Sequence, residues 1–243
     1  MNLVITMAGR GARFLDAGYE APKFAIPVKG RTLFSWAMHS LDAFLESGVR
    51  AIFVARAGDR AGELLAREMA AWPGVTPRLI ALEQATDGQA TSALMARAQW
   101  DDHEPLLIYN IDTHVDARHL RPEMIAGEGW IPCFRAPGDH WSFVRTDGKG
   151  RALEVAEKRR ISPLASIGLY WFASADLFAR AYRQTYESGS AAPDLPERYV
   201  APVYNALIAE GRRVTVTEIP AHAVVPLGTP ADVRSFESAG AHP

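Results

Sequence analysis

The chain has 243 residues, 48% of them hydrophobic and 22% charged, enough to bury a substantial core as one large α/β domain or two small ones. Its formal net charge of −2 gives no bulk attraction for nucleic acid or an acidic membrane. One cysteine, Cys133, excludes an internal disulfide framework or a Cys-rich metal site, and no apolar run approaches the roughly 18 residues that span a bilayer.

In chain order, "NLVITM" (2–7) reads as a buried strand, entered directly from the first residue without a charged-then-apolar leader, so a cytoplasmic location and no membrane insertion are expected. Apolar residues at helical spacing predict a helix over 32–46, closed by Gly48. Strands follow at 50–55, 78–83 and 105–111, separated by helices at 59–71 and 89–98. Such alternation argues for parallel strands with right-handed crossovers. From Trp130 the pattern changes: "WIPCF", "WSFVRT", "ALEVAEK" and "ASIGLYWF" are strands with only short breaks between them, as expected of antiparallel additions. A helix at 175–186, a polar Gly/Ser/Pro-rich segment at 187–197, a helix near 199–210, the strand "RVTVTEI" and a last helix after "GTPAD" complete the chain. The expected fold is a single-domain, Rossmann-like three-layer α/β/α sandwich with a mixed, mostly parallel central sheet.

The segment "MAGRGARFLDAGYEAPKF" (7–24) leaves the first strand at its carboxyl end, where open α/β sheets bind ligands. Ala8, Gly9, Arg10 and Gly11 let backbone N–H groups approach phosphate oxygens closely, and Arg10, Arg13, Lys23, Lys29 and Arg31 supply five positive charges. Arginine forks and a lysine point charge are complementary tools for a polyphosphate. It is not a P-loop, because Gly-Lys-Ser/Thr is absent, and Phe14 stands where a dinucleotide fingerprint has its third glycine. Asp112 ends the apolar run "LLIYNI", where a carboxylate suits either Mg²⁺ or a helix cap. Cys133 reads as core packing, while His114 could lie near the ligand or simply at the surface.

Taken together, "MAGRGARF" with Pro22-Lys23 resembles the A-G-x-G-x-R…K signature of the sugar-phosphate nucleotidylyltransferases and related cytidylyltransferases. The similarity continues through "EQATDGQATSAL" (83–94), "YNIDTHV" (109–115), "EVAEKRRISPLASIGLYWF" (154–172) and "LGTPADV" (227–233), and the nearest sub-group is the short single-domain one associated with capsule and other surface polysaccharides. The resemblance implies an enzyme that transfers a nucleoside monophosphate from an NTP to a sugar phosphate or similar small phosphate ester, releasing pyrophosphate. Residues 1–111 would form the nucleotide-binding half and 112–243 the acceptor half. Arg13 and Lys23 would neutralise phosphate charge, Asp112 would hold Mg²⁺, and Gln84, Gly88 and Gln89 would read the base, purine or pyrimidine. Glu157 and Lys158 would grip the acceptor's hydroxyls and phosphate, with Ser142, Gly168 and Tyr170 lining its pocket. Many relatives carry a second metal-binding aspartate two residues before the closing Gly-Thr; here that residue is Pro226, leaving Glu157, another residue or water and phosphate to complete the shell. Two alternatives are a glycosyltransferase of similar architecture, against which Asn110 replaces the first acid of an Asp-x-Asp motif, and a non-catalytic nucleotide-binding homologue. A homo-oligomer stays open, with the 187–197 segment as a lid or a subunit contact.

Overall fold

The computed structural model describes residues 1–45, 48–188 and 195–239. Its first part contains β1 (Asn2–Thr6), α1 (Ala12–Asp16), β2 (Pro27–Val28), β3 (Arg31–Thr32), α2 (Leu33–His39), α3 (Asp42–Leu45), β4 (Arg50–Arg56), α4 (Ala61–Glu68), β5 (Arg78–Leu82), α5 (Gln89–Met95), β6 (Leu106–Asn110) and β7 (Thr113–Val115). The second part adds β8 (Gly129–Arg135), β9 (Ser142–Thr146), β10 (Ala152–Glu157), β11 (Leu164–Ser166), β12 (Leu169–Phe172), α6 (Ala175–Tyr186), α7 (Tyr204–Ala209), β13 (Val214–Glu218), β14 (Val224–Pro226) and α8 (Pro230–Ser238).

Ten of these strands form one sheet. β5, β4, β1 and β6 pair in parallel in that order, so β1 lies between β4 and β6 and the winding reverses between β1 and β6. β12 then joins β6 antiparallel and β8 joins β12; from β8 the sheet continues through β11 and β9 to β10, while β13 pairs with β8 in parallel. Successive side chains of a strand face opposite ways. Leu3 and Ile5 therefore enter the core shared with Phe34, Phe44 and Leu64, under α2, α3 and α4. Val4, Ile52 and Ile108 enter the opposite core, against Ala90, Ala93 and Phe178 of α5 and α6. Near-continuous apolar runs are what a sheet covered on both faces demands. A third cluster, of Phe14, Ile26, Val28, Leu33, Leu227, Val233 and Phe236, ties α1 and the β2–β3 hairpin to α8.

The periodic stretch expected as one helix over 32–46 breaks at Ser40, and residue 46 lies outside the described residues. The Ser40 hydroxyl accepts the Val115 N–H at 2.9 Å and lies 3.4 Å from the Trp36 carbonyl oxygen, competing with the helical ladder. The β2–β3 hairpin and the β7–β14 pair were outside the periodic pattern because their strands are only two or three residues long. The hairpin turns at Lys29 and Gly30, both at positive φ, which matches a primed turn.

Gly168 separates β11 from β12, and the two halves of that extended run serve different neighbours: β11 meets β9, β12 meets β6. Its φ is +82°, and a Cβ there would sit 2.6 Å from Asn110 Nδ2. Gly168→Ala is expected to lower stability by about 2–3 kcal/mol through left-handed strain plus the clash. Urea unfolding should show a lower midpoint at unchanged slope; an unchanged midpoint would mean that Asn110 moves aside freely.

Candidate active site

Asp112 is held by its backbone from several sides. β6 ends at Asn110, the Tyr109 hydroxyl donates to Thr113 O at 2.7 Å across the turn, and Leu227 N donates to Asp112 O at 2.8 Å. Its carboxylate meets Lys23 Nζ at 2.9 Å, with the two side chains 34% and 18% exposed, so the pair is only partly screened by water. Lys23 reaches it from a short 3₁₀ turn after Pro22, and its ammonium also lies 5.7 Å from the centre of the Phe14 ring. The two residues expected to serve phosphate and metal are thus brought together. Pro226 of β14 pairs with Thr113, next to Asp112, and its side chain offers no ligand atom. A second carboxylate nevertheless arrives nearby: a Cβ at Gly228 would lie 3.7 Å from Asp112 Oδ2 and 3.8 Å from Asp232 Oδ2. Asp232 was not singled out from the sequence, where Thr229-Pro-Ala-Asp232 reads as a helix start. It is also that, since Thr229 Oγ1 donates to Asp232 Oδ2 at 2.7 Å and accepts from Asp232 N at 3.1 Å. Glu157 bonds to Ser142 rather than joining this group. His114 is engaged in packing, its ring 4.9 Å from that of Trp36 and its Nδ1 2.8 Å from Trp36 O.

The glycine-arginine loop runs beside this pair. Met7 N bonds to Val54 O, extending the β1–β4 ladder, and the chain then passes buried Ala8 and exposed Gly9 and Arg10. Gly11 adopts φ 63° at the head of α1, whereas Gly9 does not use positive φ. Arg10 and Arg13 are exposed, with no ion pair or hydrogen bond to any described residue. The five positive charges therefore divide by role. Lys29 lies over Phe236 at 4.5 Å and Arg31 over Trp36 at 5.1 Å, bracing α8 and α2. A cavity of about 390 Å³, lined by Arg10, Gly11, Lys23, Arg56 and Arg60 among others, opens between this loop and the start of α4.

On the loop after β5, Glu83 and Gln84 are exposed, and Gln84 makes no hydrogen bond with described residues. Gln89 is turned inward: its Nε2 donates to Thr6 Oγ1 at 3.1 Å and to Asn110 Oδ1, tying the ends of β1 and β6. Gly88 lies against Arg198, where a Cβ would fall 2.4 Å from backbone N and O.

Among the residues expected to bind the acceptor, Ser142 and Glu157 face each other across β9 and β10, and Ser142 Oγ donates to Glu157 Oε2. Tyr170 OH donates to Ser142 Oγ at 3.4 Å. Asn205 seals the outer edge of β10, accepting from Val155 N at 2.9 Å and donating to Val155 O at 2.8 Å. Lys158 follows in a left-handed conformation, φ 51°, and its ammonium donates to the Tyr199 hydroxyl while lying 4.5 Å over that ring. Tyr199 carried no sequence signal, being 41 residues away in an unremarkable polar stretch. Of the 187–197 segment, residues 189–194 lie outside the described residues.

Burial raises the Glu157 carboxyl above its ordinary value, partly opposed by the Ser142 hydrogen bond and by Lys158. The folded protein thus favours the protonated acid, and the group loses stabilising effect as pH rises through its folded pKa. Relative to wild type, Glu157→Gln should match in stability at about pH 4 and gain stability towards about pH 7. Denaturant titrations across that range test this; a variant that falls below wild type as pH rises would mean the site holds the ionised carboxylate.

No family model and no curated protein matches the chain. Among solved structures, a nucleoside-diphosphate-sugar pyrophosphorylase from Vibrio cholerae RC9 is 30% identical, with 98% of this chain and 100% of that chain covered and a TM-score of 0.87. An inositol-1-phosphate CTP transferase from T. maritima is 16% identical over 100% and 98% of the two chains, TM-score 0.75. A Bacillus anthracis protein assigned as a glucose-1-phosphate thymidylyltransferase, solved with sucrose, is 15% identical over 98% and 94%, TM-score 0.77. The last two share the fold; the first, at 30% identity over 98% of this chain and all of that one, shows the family as well. The chain belongs to the sugar-phosphate nucleotidyltransferases.

Proposed function

We propose that this protein transfers a nucleoside monophosphate from an NTP to a sugar phosphate or related small phosphate ester, and that the product feeds the assembly of a surface polysaccharide. The observation that carries the reading is the Lys23–Asp112 pair, 2.9 Å apart where the β1 loop and the end of β6 meet, beside a loop whose Arg10 and Arg13 have no protein partner among the described residues. In the reaction, an acceptor phosphate oxygen bonds to the α-phosphorus of the NTP while the bond from that phosphorus to the bridging oxygen breaks, and pyrophosphate leaves with the electron pair. No protein nucleophile is needed; positioning and charge stabilisation supply the catalysis. Lys23 brings positive charge to the phosphates, Arg10 and Arg13 bind the β- and γ-phosphates, and exposed Gln84 meets the base. Glu157 accepts from acceptor hydroxyls, and Lys158 holds the acceptor phosphate.

The donor set suits Mg²⁺, a hard ion that takes one or two carboxylates and completes its shell with phosphate oxygens and water. Asp112 would hold it, with the Asp232 carboxylate on the other side of Gly228. When bound, Mg²⁺ neutralises charge developing on the triphosphate. In the glycosyltransferase alternative, the residue at the first acid of an Asp-x-Asp motif is Asn110, whose amide is engaged by Gln89.

The test is pyrophosphate release from the purified protein with Mg²⁺, pairing each NTP with a panel of sugar 1-phosphates and other small phosphate esters. Turnover with one pair is expected, with Lys23→Ala and Asp112→Ala each lowering kcat/KM by roughly a hundredfold or more. Turnover that survives both substitutions would overturn the assignment of the site, and NTP binding without turnover across the panel would favour a non-catalytic role.

A further inference from the structure

Residues 198 and 199 touch both ends of the site. Arg198 N donates to Asp87 O at 2.8 Å, and Ala90 N donates to Arg198 O at 2.8 Å, so the backbone of residue 198 is stitched to the loop that precedes α5 and to the helix's first turn. The Arg198 guanidinium adds an ion pair to Asp87 at 2.9 Å and donates to Tyr182 OH at 2.8 Å. Tyr182 in turn lies 2.7 Å from Thr91 Oγ1, closing the tie through α6. Gly88 permits this approach, because any Cβ would meet the Arg198 backbone. One residue later the Tyr199 side chain carries the Lys158 ammonium on its hydroxyl and ring face, and Tyr199 O accepts from Tyr186 OH at 2.6 Å. An exposed lysine has much rotamer freedom to lose, and here it is held by an aromatic whose own backbone is anchored.

We propose that Arg198 and Tyr199 form a strap coupling the base-reading loop to the acceptor lysine, with Tyr199 the positioning residue for Lys158 and Arg198 its anchor on residues 87–90. This rests on the nucleotidyl-transfer reading. Nucleotide that orders the 83–90 loop also orders Arg198, hence Tyr199, and sets the Lys158 ammonium before the acceptor arrives. Coupling of this kind is reciprocal, so a bound acceptor tightens nucleotide binding by the same factor, of order tenfold.

Hydrogen–deuterium exchange on the full chain, with and without each NTP and Mg²⁺, reads the coupling without needing the acceptor. In the wild type, the NTP that binds should slow exchange at 83–90 and, through the strap, at 155–159. In Tyr199→Ala and Arg198→Ala, protection at 83–90 should persist while that at 155–159 falls about tenfold. Tyr199→Phe, which keeps the ring beneath the ammonium, should retain most of it. With the acceptor found by turnover, Tyr199→Ala should raise the acceptor KM about tenfold at saturating NTP and abolish the tightening of NTP by bound acceptor, while NTP binding without acceptor stays within about twofold. Wild-type protection confined to 83–90, or protection at 155–159 that survives Tyr199→Ala, overturns the strap and leaves nucleotidyl transfer standing. No protection by any NTP overturns both.

Discussion

Parallel pairing of β1 with β6 is the constraint on which the rest of the site depends. It places Thr6 opposite Asn110, so that the loop after one strand and the turn after the other emerge together at the carboxyl edge of the sheet. Because β4 occupies the other side of β1, the winding reverses there, and such a reversal is where open α/β sheets leave a crevice for a ligand. Gln89 and Gly168 both serve this junction. The first ties Thr6 to Asn110 through its amide, and the second lets β12 approach Asn110 where a side chain would collide.

On that frame the electrostatics are arranged in two unlike places. Around Asp112 the carboxylate is balanced by Lys23, while Arg10 and Arg13 stand exposed beside it and leave the loop electropositive. Around Glu157 the acid is desolvated, and its pKa rises because burial outweighs the Ser142 hydrogen bond and Lys158. A polyanion is suited to the first environment, a ligand offering hydroxyl groups to the second. The chain as a whole, at −2, carries little field of its own, so selectivity rests on these local arrangements.

The two parts of the chain are interleaved rather than juxtaposed. Phe14 and Leu33 from the first part pack with Leu227, Val233 and Phe236 from the last residues of the second. Arg198 of the second part reaches back to Asp87 of the first. The packing that stabilises the fold therefore also sets where Lys23 and Asp112 stand, and a substitution in the third cluster bears on the candidate site through α1 and α8.

Much of this could be read from the chain alone. The long apolar strands and the crossover helices follow from local burial patterns of two or 3.6 residues, which short windows record. Lys23, Asp112, Glu157 and Lys158 drew notice as candidates because each stands at the end of an apolar run or in an ordered motif. What sequence could not supply was whatever depends on contacts between distant segments. Lys29 and Arg31 carry the same charges as Arg10 and Arg13, yet aromatic rings of α8 and α2 claim them. Gln89 has the polarity of a base reader but is drawn inward by Thr6 and Asn110. Asp232 and Tyr199 acquire their places only when Gly228 and Lys158 are brought against them. Local periodicity determined which segments form the layers; tertiary packing decided which charged groups remain for a ligand, because a side chain's availability is set by neighbours the chain delivers from far away.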